Sequence, residues 1–325
     1  MKAHPVLVLA LLTPGIPEYL SSSSSVAALA VNPGWFFLAL ALNVGQYTGG
    51  ALLVREALIR WRKGWPTGIA LALAYGITEE GLGDNTLFRS THGGDGVLGH
   101  FGRFLGVNWL WSGGVLTYHV VFSIGLPIVL LALALPETRG RSLIGSRGIV
   151  VAFATVAAAT IVEAVIVWGA YRFWMGTGLL VGALVAIALL TTVGRLLPAP
   201  TPPVPGKREP SPLRMAVVGF FLFPILFAIE YGPSGWPSAA PVAFGIEVVV
   251  LAIVTWLLAP LLGDRSGDRL RVAFAGGALV FLAAFGVAAT LPWPVTLPLA
   301  ILAVVFVRRL QRPWGRSPAS AAPAA

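Results

Sequence analysis

The stretch "GIVVAFATVAAATIVEAVIVWGA" (148–170) decides the class of fold. A bilayer core about 30 Å thick is crossed by about 20 apolar residues of helix, at a rise of about 1.5 Å per residue. This stretch is long enough, and its only ionisable group is Glu163. The same rhythm, apolar runs broken by short charged loops, repeats along all 325 residues. Hydrophobic types make up 57% and charged types 11%. Soluble domains carry about a quarter charged residues, so this chain lacks the polar material to cover a water-facing surface.

Ten spans are expected, at 4–20, 33–54, 65–83, 109–135, 148–170, 176–197, 213–231, 239–262, 272–291 and 294–310. They make an all-α, polytopic transmembrane helix bundle of about ten spans, a single integral membrane domain over 1–325. Charge supports the count. With the spans alternating from an inside N-terminus, all 22 Lys and Arg residues except Arg89, Arg103 and Arg172 fall in inner loops, as the positive-inside rule asks. Both termini are then cytoplasmic. The net charge of +9 follows this topology and forms no single patch, so nucleic acid is excluded as a partner and the bilayer is the expected one. Cysteine is absent, which removes disulfides and thiolate chemistry.

Punctuation is clear elsewhere. "PAPTPPVPGKREPSP" (198–212) reads as an extended cytoplasmic linker between spans 1–6 and 7–10, and 313–325 as a disordered cytoplasmic tail. Residues 1–28 admit two readings, a short first span ending near Glu18 or a cleaved signal peptide. The loop 84–108 holds Asp84, Arg89, His92, Asp95, His100 and Arg103. Its glycines argue against one continuous helix; it is either a solvated loop or a lid over a site below.

The acids do not follow the basic residues. Glu56, Glu137, Glu209, Asp264 and Asp268 lie in inner loops, but Glu18, Glu79, Glu80, Asp84, Asp95, Glu163, Glu230 and Glu247 all fall on the outer side. In "AYGITEEGLGDNTLFRS" (74–90), Glu79 and Glu80 stand about 10 Å below the outer edge of the core, counted at the helical rise. The same count puts His119, Glu163 and Glu247 in that layer from three other helices. An ionisable group facing lipid at the centre costs about 3 kcal/mol or more, so these groups are expected to face a shared polar cavity. Glu79, Glu80 and His119 are the candidate catalytic residues. Glu163, Glu247, Ser123, Tyr75 and Asn108 are candidates for binding substrate or protons, with Tyr75 placed to hydrogen-bond Glu79. Glu230, beside "YGPSG", reads as interfacial. No HExxH or phosphate-loop motif is present; no cofactor is evident, and a metal would have to be assembled across helices.

The segments "GALLVREALIRWRKGW" (50–65), "AYGITEEGL" (74–82) and "GVNWLWSGGVLTYHVVFSIGLPI" (106–128) resemble a widespread family of multi-pass prokaryotic membrane proteins, over roughly residues 14–137. The resemblance implies a multi-pass protein of a prokaryotic plasma membrane. The pair Glu79–Glu80 followed by "HVVFS" (119–123) also resembles the glutamic intramembrane proteases of the CPBP and PrsW kinds. That resemblance implies a glutamate acting as general base on water, with His119 steadying the water or the oxyanion. Here Gly83 and Asp84 stand where those families carry Arg or Lys, and Ser123 replaces their Asn, Asp or Thr. Three functions remain open: an intramembrane hydrolase, a cation- or proton-coupled transporter using the buried carboxylates, and an assembly protein without chemistry.

Overall fold

A computed structural model describes residues 4–91, 97–199, 210–259 and 267–311. His92, Asp95, most of the Pro-rich linker and the tail from 313 lie outside the described residues. The architecture is helical: α1 (Pro5–Leu20), α2 (Pro33–Arg60), α3 (65–83), α4 (Trp109–Ala134), α5 (Ser146–Tyr171), α6 (Gly176–Leu196), α7 (Pro212–Tyr231), α8 (Pro237–Leu258), α9 (Asp268–Ala289) and α10 (Leu297–Gln311). Among the described residues, seven of these, α2 and α4 to α9, are long and apolar enough to cross a membrane. The expected count of about ten is not reached on that measure. Helices α1 and α10 are short, and α3 carries both Glu79 and Glu80 in its last turns.

The outward surface fits lipid. On α5, Val150, Val151, Phe153, Ile161, Val165 and Trp168 are exposed, while Ala152, Val156, Ala159, Thr160 and Val167 form the buried face. Glu163 continues that inner face at helical spacing. Small residues let helices approach closely. A side chain on Gly45 or Gly49 of α2 would collide with Thr155 or Val156 of α5, and Gly219 of α7 lies against the backbone of α9 at Phe274 and Ala278. Four apolar clusters form among the described residues, and two of them join most of the helices around the site. One joins α1, α4, α7, α9 and α10 around Phe122, Phe223 and Leu282, and the other joins α1 to α4 around Leu9, Tyr47, Ala51 and Leu131.

Among the described residues, four helices widen locally into π-helical turns: Gly15–Leu20 in α1, Val44–Thr48 in α2, Ile77–Gly83 in α3 and His119–Gly125 in α4. Each contains at least one glycine. The Asp84 amide donates to the Glu79 carbonyl five residues back, at 2.8 Å, the spacing that defines such a turn. Freed carbonyls find side chains: Pro17 O accepts from the Tyr118 hydroxyl at 2.6 Å and from Ser21.

The loop 84–108 is not a solvated excursion at its start. Asn85, Thr86, Leu87, Phe88 and Arg89 are all buried. Further on, Arg103–Phe104 pairs with Val107–Asn108 as a minimal antiparallel hairpin. Its two turn residues, Leu105 and Gly106, have φ of 50° and 80°, as a type I′ turn requires. The Arg103 guanidinium ties the loop together by donating to the carbonyls of Gly99, Gly106 and Phe88. Burial lowers its pKa from the usual arginine value.

At the far end of α2, Arg55 and Glu56 clamp the connection from α4 to α5. Arg55 Nη2 donates to Thr138 O at 2.6 Å and Arg141 O at 2.9 Å. Glu56 accepts from the Leu143 amide at 2.7 Å, from Arg60 Nε at 3.2 Å, from Arg55 Nη1 at 3.3 Å and from Ser142.

Candidate functional site

All four π-helical turns meet at one place. They carry Glu18, Tyr47, Glu79 with Glu80, and His119 with Ser123 respectively. His119 is the hub. Its Nε2 lies 3.0 Å from Glu80 Oε1 and 2.9 Å from Glu79 Oε2. Its Nδ1 lies 3.0 Å from the Ser123 hydroxyl. The imidazole packs between aromatic rings, roughly parallel to Tyr47 and edge-on to Tyr75 and Tyr118.

The outer oxygens of both carboxylates are held as well. The Tyr47 hydroxyl stands 3.1 Å from Glu79 Oε1 and 2.6 Å from Glu18 Oε1, one proton serving two acceptors. Thr86 donates to Glu80 Oε2 and itself accepts from Trp111 Nε1 at 3.0 Å. Glu18 accepts in turn from the Ser24 hydroxyl at 2.7 Å. The cluster opens into a cavity of about 700 Å³. Besides the cluster, Asp84, Glu163 and Glu230 line it, facing apolar walls from α7 and α9.

The sequence-derived candidates divide on contact. Glu79, Glu80, His119 and Ser123 form one hydrogen-bonded group, and Glu163 lines the same cavity. Gly83 leaves the space that the Glu163 carboxyl fills. Tyr75 does not bond Glu79: its hydroxyl has no partner among the described residues, and Tyr47 makes that contact instead. Asn108 is absent from the cavity wall. It caps α4, accepting from the Trp111 amide at 3.0 Å, because an Asn before the first turn satisfies an otherwise orphan N–H.

Glu247 also misses the cavity wall; it is 1% exposed and packs against Gly113. Glu230, read from its neighbours as interfacial, is equally buried inside the bundle, against Gly114. A Gly-Gly pair on α4 thus makes room for two carboxyls from α7 and α8. Their oxygens have no hydrogen-bond partner among the described residues.

Glu18, Tyr47 and Thr86 complete the site without having been singled out for it. The available signal was the polar run Asn43, Gln46, Tyr47 and Thr48 inside an apolar span.

Comparison with known families, curated proteins and solved structures returns no match for this chain. What fold and site define is a class: a helical bundle with several membrane-length apolar helices, built around a buried Glu–Glu–His group.

Proposed function

We propose that the protein is an intramembrane hydrolase in which Glu79, Glu80 and His119 activate a water molecule beside the cavity. The observation that carries this reading is the approach of His119 Nε2 to both carboxylates, at 2.9 and 3.0 Å, at the edge of a cavity of about 700 Å³. Hydrogen-bond reach between a base and its partner is the first requirement of general acid–base catalysis. Ser123 and Tyr47 fix the imidazole and one carboxylate, so little reorganisation is left for the reaction. The resemblance to glutamic intramembrane proteases supports the same assignment. The carboxylate takes a proton from water, the hydroxide attacks a carbonyl whose oxyanion His119 stabilises, and the protonated carboxyl returns that proton to the leaving group as its bond to the carbonyl carbon breaks.

The apolar walls from α7 and α9 suit a substrate with a hydrophobic segment, such as a membrane peptide or a lipidated chain. The test is cleavage of quenched-fluorescent transmembrane peptides by purified, reconstituted protein. Wild type is expected to cleave, and Glu80→Gln and His119→Ala to lose about 10² to 10⁴ in rate. Folded wild-type protein that cleaves none of a varied panel, or variants as active as wild type, would sink the reading.

One observation favours a second reading, a cation- or proton-coupled transporter: the acids extend past the cavity wall to Glu247. Liposome uptake that is abolished by Glu247→Gln and insensitive to His119→Ala would select it.

A further inference from the structure

We propose that Glu79, Glu80 and His119 bind one divalent transition-metal ion of the zinc or manganese kind. The proposal rests on reading this cavity as a water-activating centre. It changes the part of the two glutamates from proton acceptors to ligands.

The first argument is convergence. One ligand atom from each of the three residues lies within 4.8 Å of the other two. Glu79 Oε2 and Glu80 Oε1 both aim at His119 Nε2, at 2.9 and 3.0 Å. Tetrahedral zinc with bonds near 2.1 Å separates its ligand atoms by about 3.4 Å, a few tenths more than these contacts. A small outward shift of three side chains makes the room.

The second is an orphan. His119 Nε2 lies within 3.0 Å of both Glu79 Oε2 and Glu80 Oε1 but has at most one proton to give, so one of the two buried oxygens, Glu79 Oε2 in this structure, goes without a donor. A buried carboxylate oxygen left this way is costly unless a ligand meets it.

The third is support from behind. In metal centres the atom of each ligand that faces away from the ion is held by a hydrogen bond, which fixes its orientation. Here all three are: Glu79 Oε1 by Tyr47, Glu80 Oε2 by Thr86, and His119 Nδ1 by Ser123. With Nδ1 protonated and donating to Ser123, Nε2 presents its lone pair to the ion.

Charge and chemistry narrow the ligand. Two carboxylates and a neutral imidazole carry −2, which one divalent ion cancels, so the filled centre is neutral in a low-dielectric surrounding. Without the ion, two bound protons are needed to cancel the same charge, so ion and protons compete for the centre. The imidazole favours zinc, manganese or iron over calcium and magnesium, and no thiolate is present to draw copper(I). The cavity side stays open for water or substrate, the arrangement of a catalytic ion with three protein ligands.

The test uses the full-length protein in detergent micelles, stripped with chelator, then exposed to Zn²⁺, Mn²⁺, Mg²⁺ or Ca²⁺ and freed of unbound ion by gel filtration. Elemental analysis is expected to find about one equivalent of Zn²⁺ or Mn²⁺, with a raised Tm, and no retained Mg²⁺ or Ca²⁺. His119→Ala and the pair Glu79→Gln with Glu80→Gln are expected to lose the ion. Ser123→Ala keeps the ligands and is expected to weaken binding about tenfold or more. His100→Ala is expected to retain the ion. Failure to retain Zn²⁺ or Mn²⁺, or equal retention in the ligand variants, would overturn the proposal. Retention without hydrolysis supports the ion and sinks only the hydrolase. Hydrolysis at full rate by ion-free protein keeps the hydrolase and overturns the ion.

Discussion

The carboxyl of Glu230, from α7, occupies the space that a side chain on Gly114 of α4 would need. A Cβ at that position collides with Oε1, and the displaced carboxyl belongs to the cavity wall. Gly114→Ala is therefore expected to lower stability by about 1 kcal/mol, the low end for overpacking, because the atoms it meets are the free end of a flexible side chain beside the cavity. Adding Glu230→Ala should recover most of that loss, because the two side chains compete for one volume. Thermal unfolding of the single and double variants in detergent checks this, and additive losses would rule out the shared volume.

Tyr47 serves two carboxylates with one hydroxyl. Tyr47→Phe keeps the ring against His119 and removes the donor from both Glu18 and Glu79. Leaving a buried acceptor unsatisfied costs about 1–3 kcal/mol. A loss in that range is expected in denaturant unfolding, together with slower peptide cleavage. An unchanged protein would show that the hydroxyl is incidental.

The clamp at the other end of α2 is predicted to matter for folding alone. Glu56 is 1% exposed and Arg55 5%. Removing one partner of a buried ion pair strands the other, at about 3–5 kcal/mol. Glu56→Ala is expected to fall in that range. Arg55→Ala with Glu56→Ala should cost less than the two singles together. Whatever protein still folds should cleave peptide at the wild-type rate per molecule, since the clamp touches no cavity residue.

Arg103 reaches three carbonyls with a planar fork, which an ammonium on a flexible stem cannot reproduce. Arg103→Lys is expected to loosen 84–108 and speed limited proteolysis there severalfold, with global unfolding little changed. Identical cleavage kinetics would mean that the hairpin holds itself.

The sequence made the helices legible because bilayer thickness sets their length. Glu79, Glu80, His119 and Ser123 stood out because ionisable groups in apolar spans are costly and therefore few. Glu18 lay beyond two prolines in a weak first span and read as an end marker. Glu230 looked interfacial because it sits beside "YGPSG" near a helix end, and depth counted along one helix says nothing of what packs alongside. Tyr75 was offered to Glu79 on i to i+4 spacing, but that rule assumes a regular α-helix, and α3 has widened into its π-helical turn by residue 77. Seven helices meet the length and hydropathy of a span rather than about ten because α1 and α10 are too short and α3 gives up hydropathy to its two acids.

Each widened turn holds a residue more than an α-turn, so everything beyond it is rotated by about 100° relative to an uninterrupted rod. Four such phase shifts, one on each helix that supplies the cluster, aim the polar groups inward. Deleting a single residue from any of them, without touching an acid or the imidazole, would restore regular winding and turn that helix's contribution away from its neighbours. The centre thus depends on where the chain is one residue too long as much as on which residues it contains.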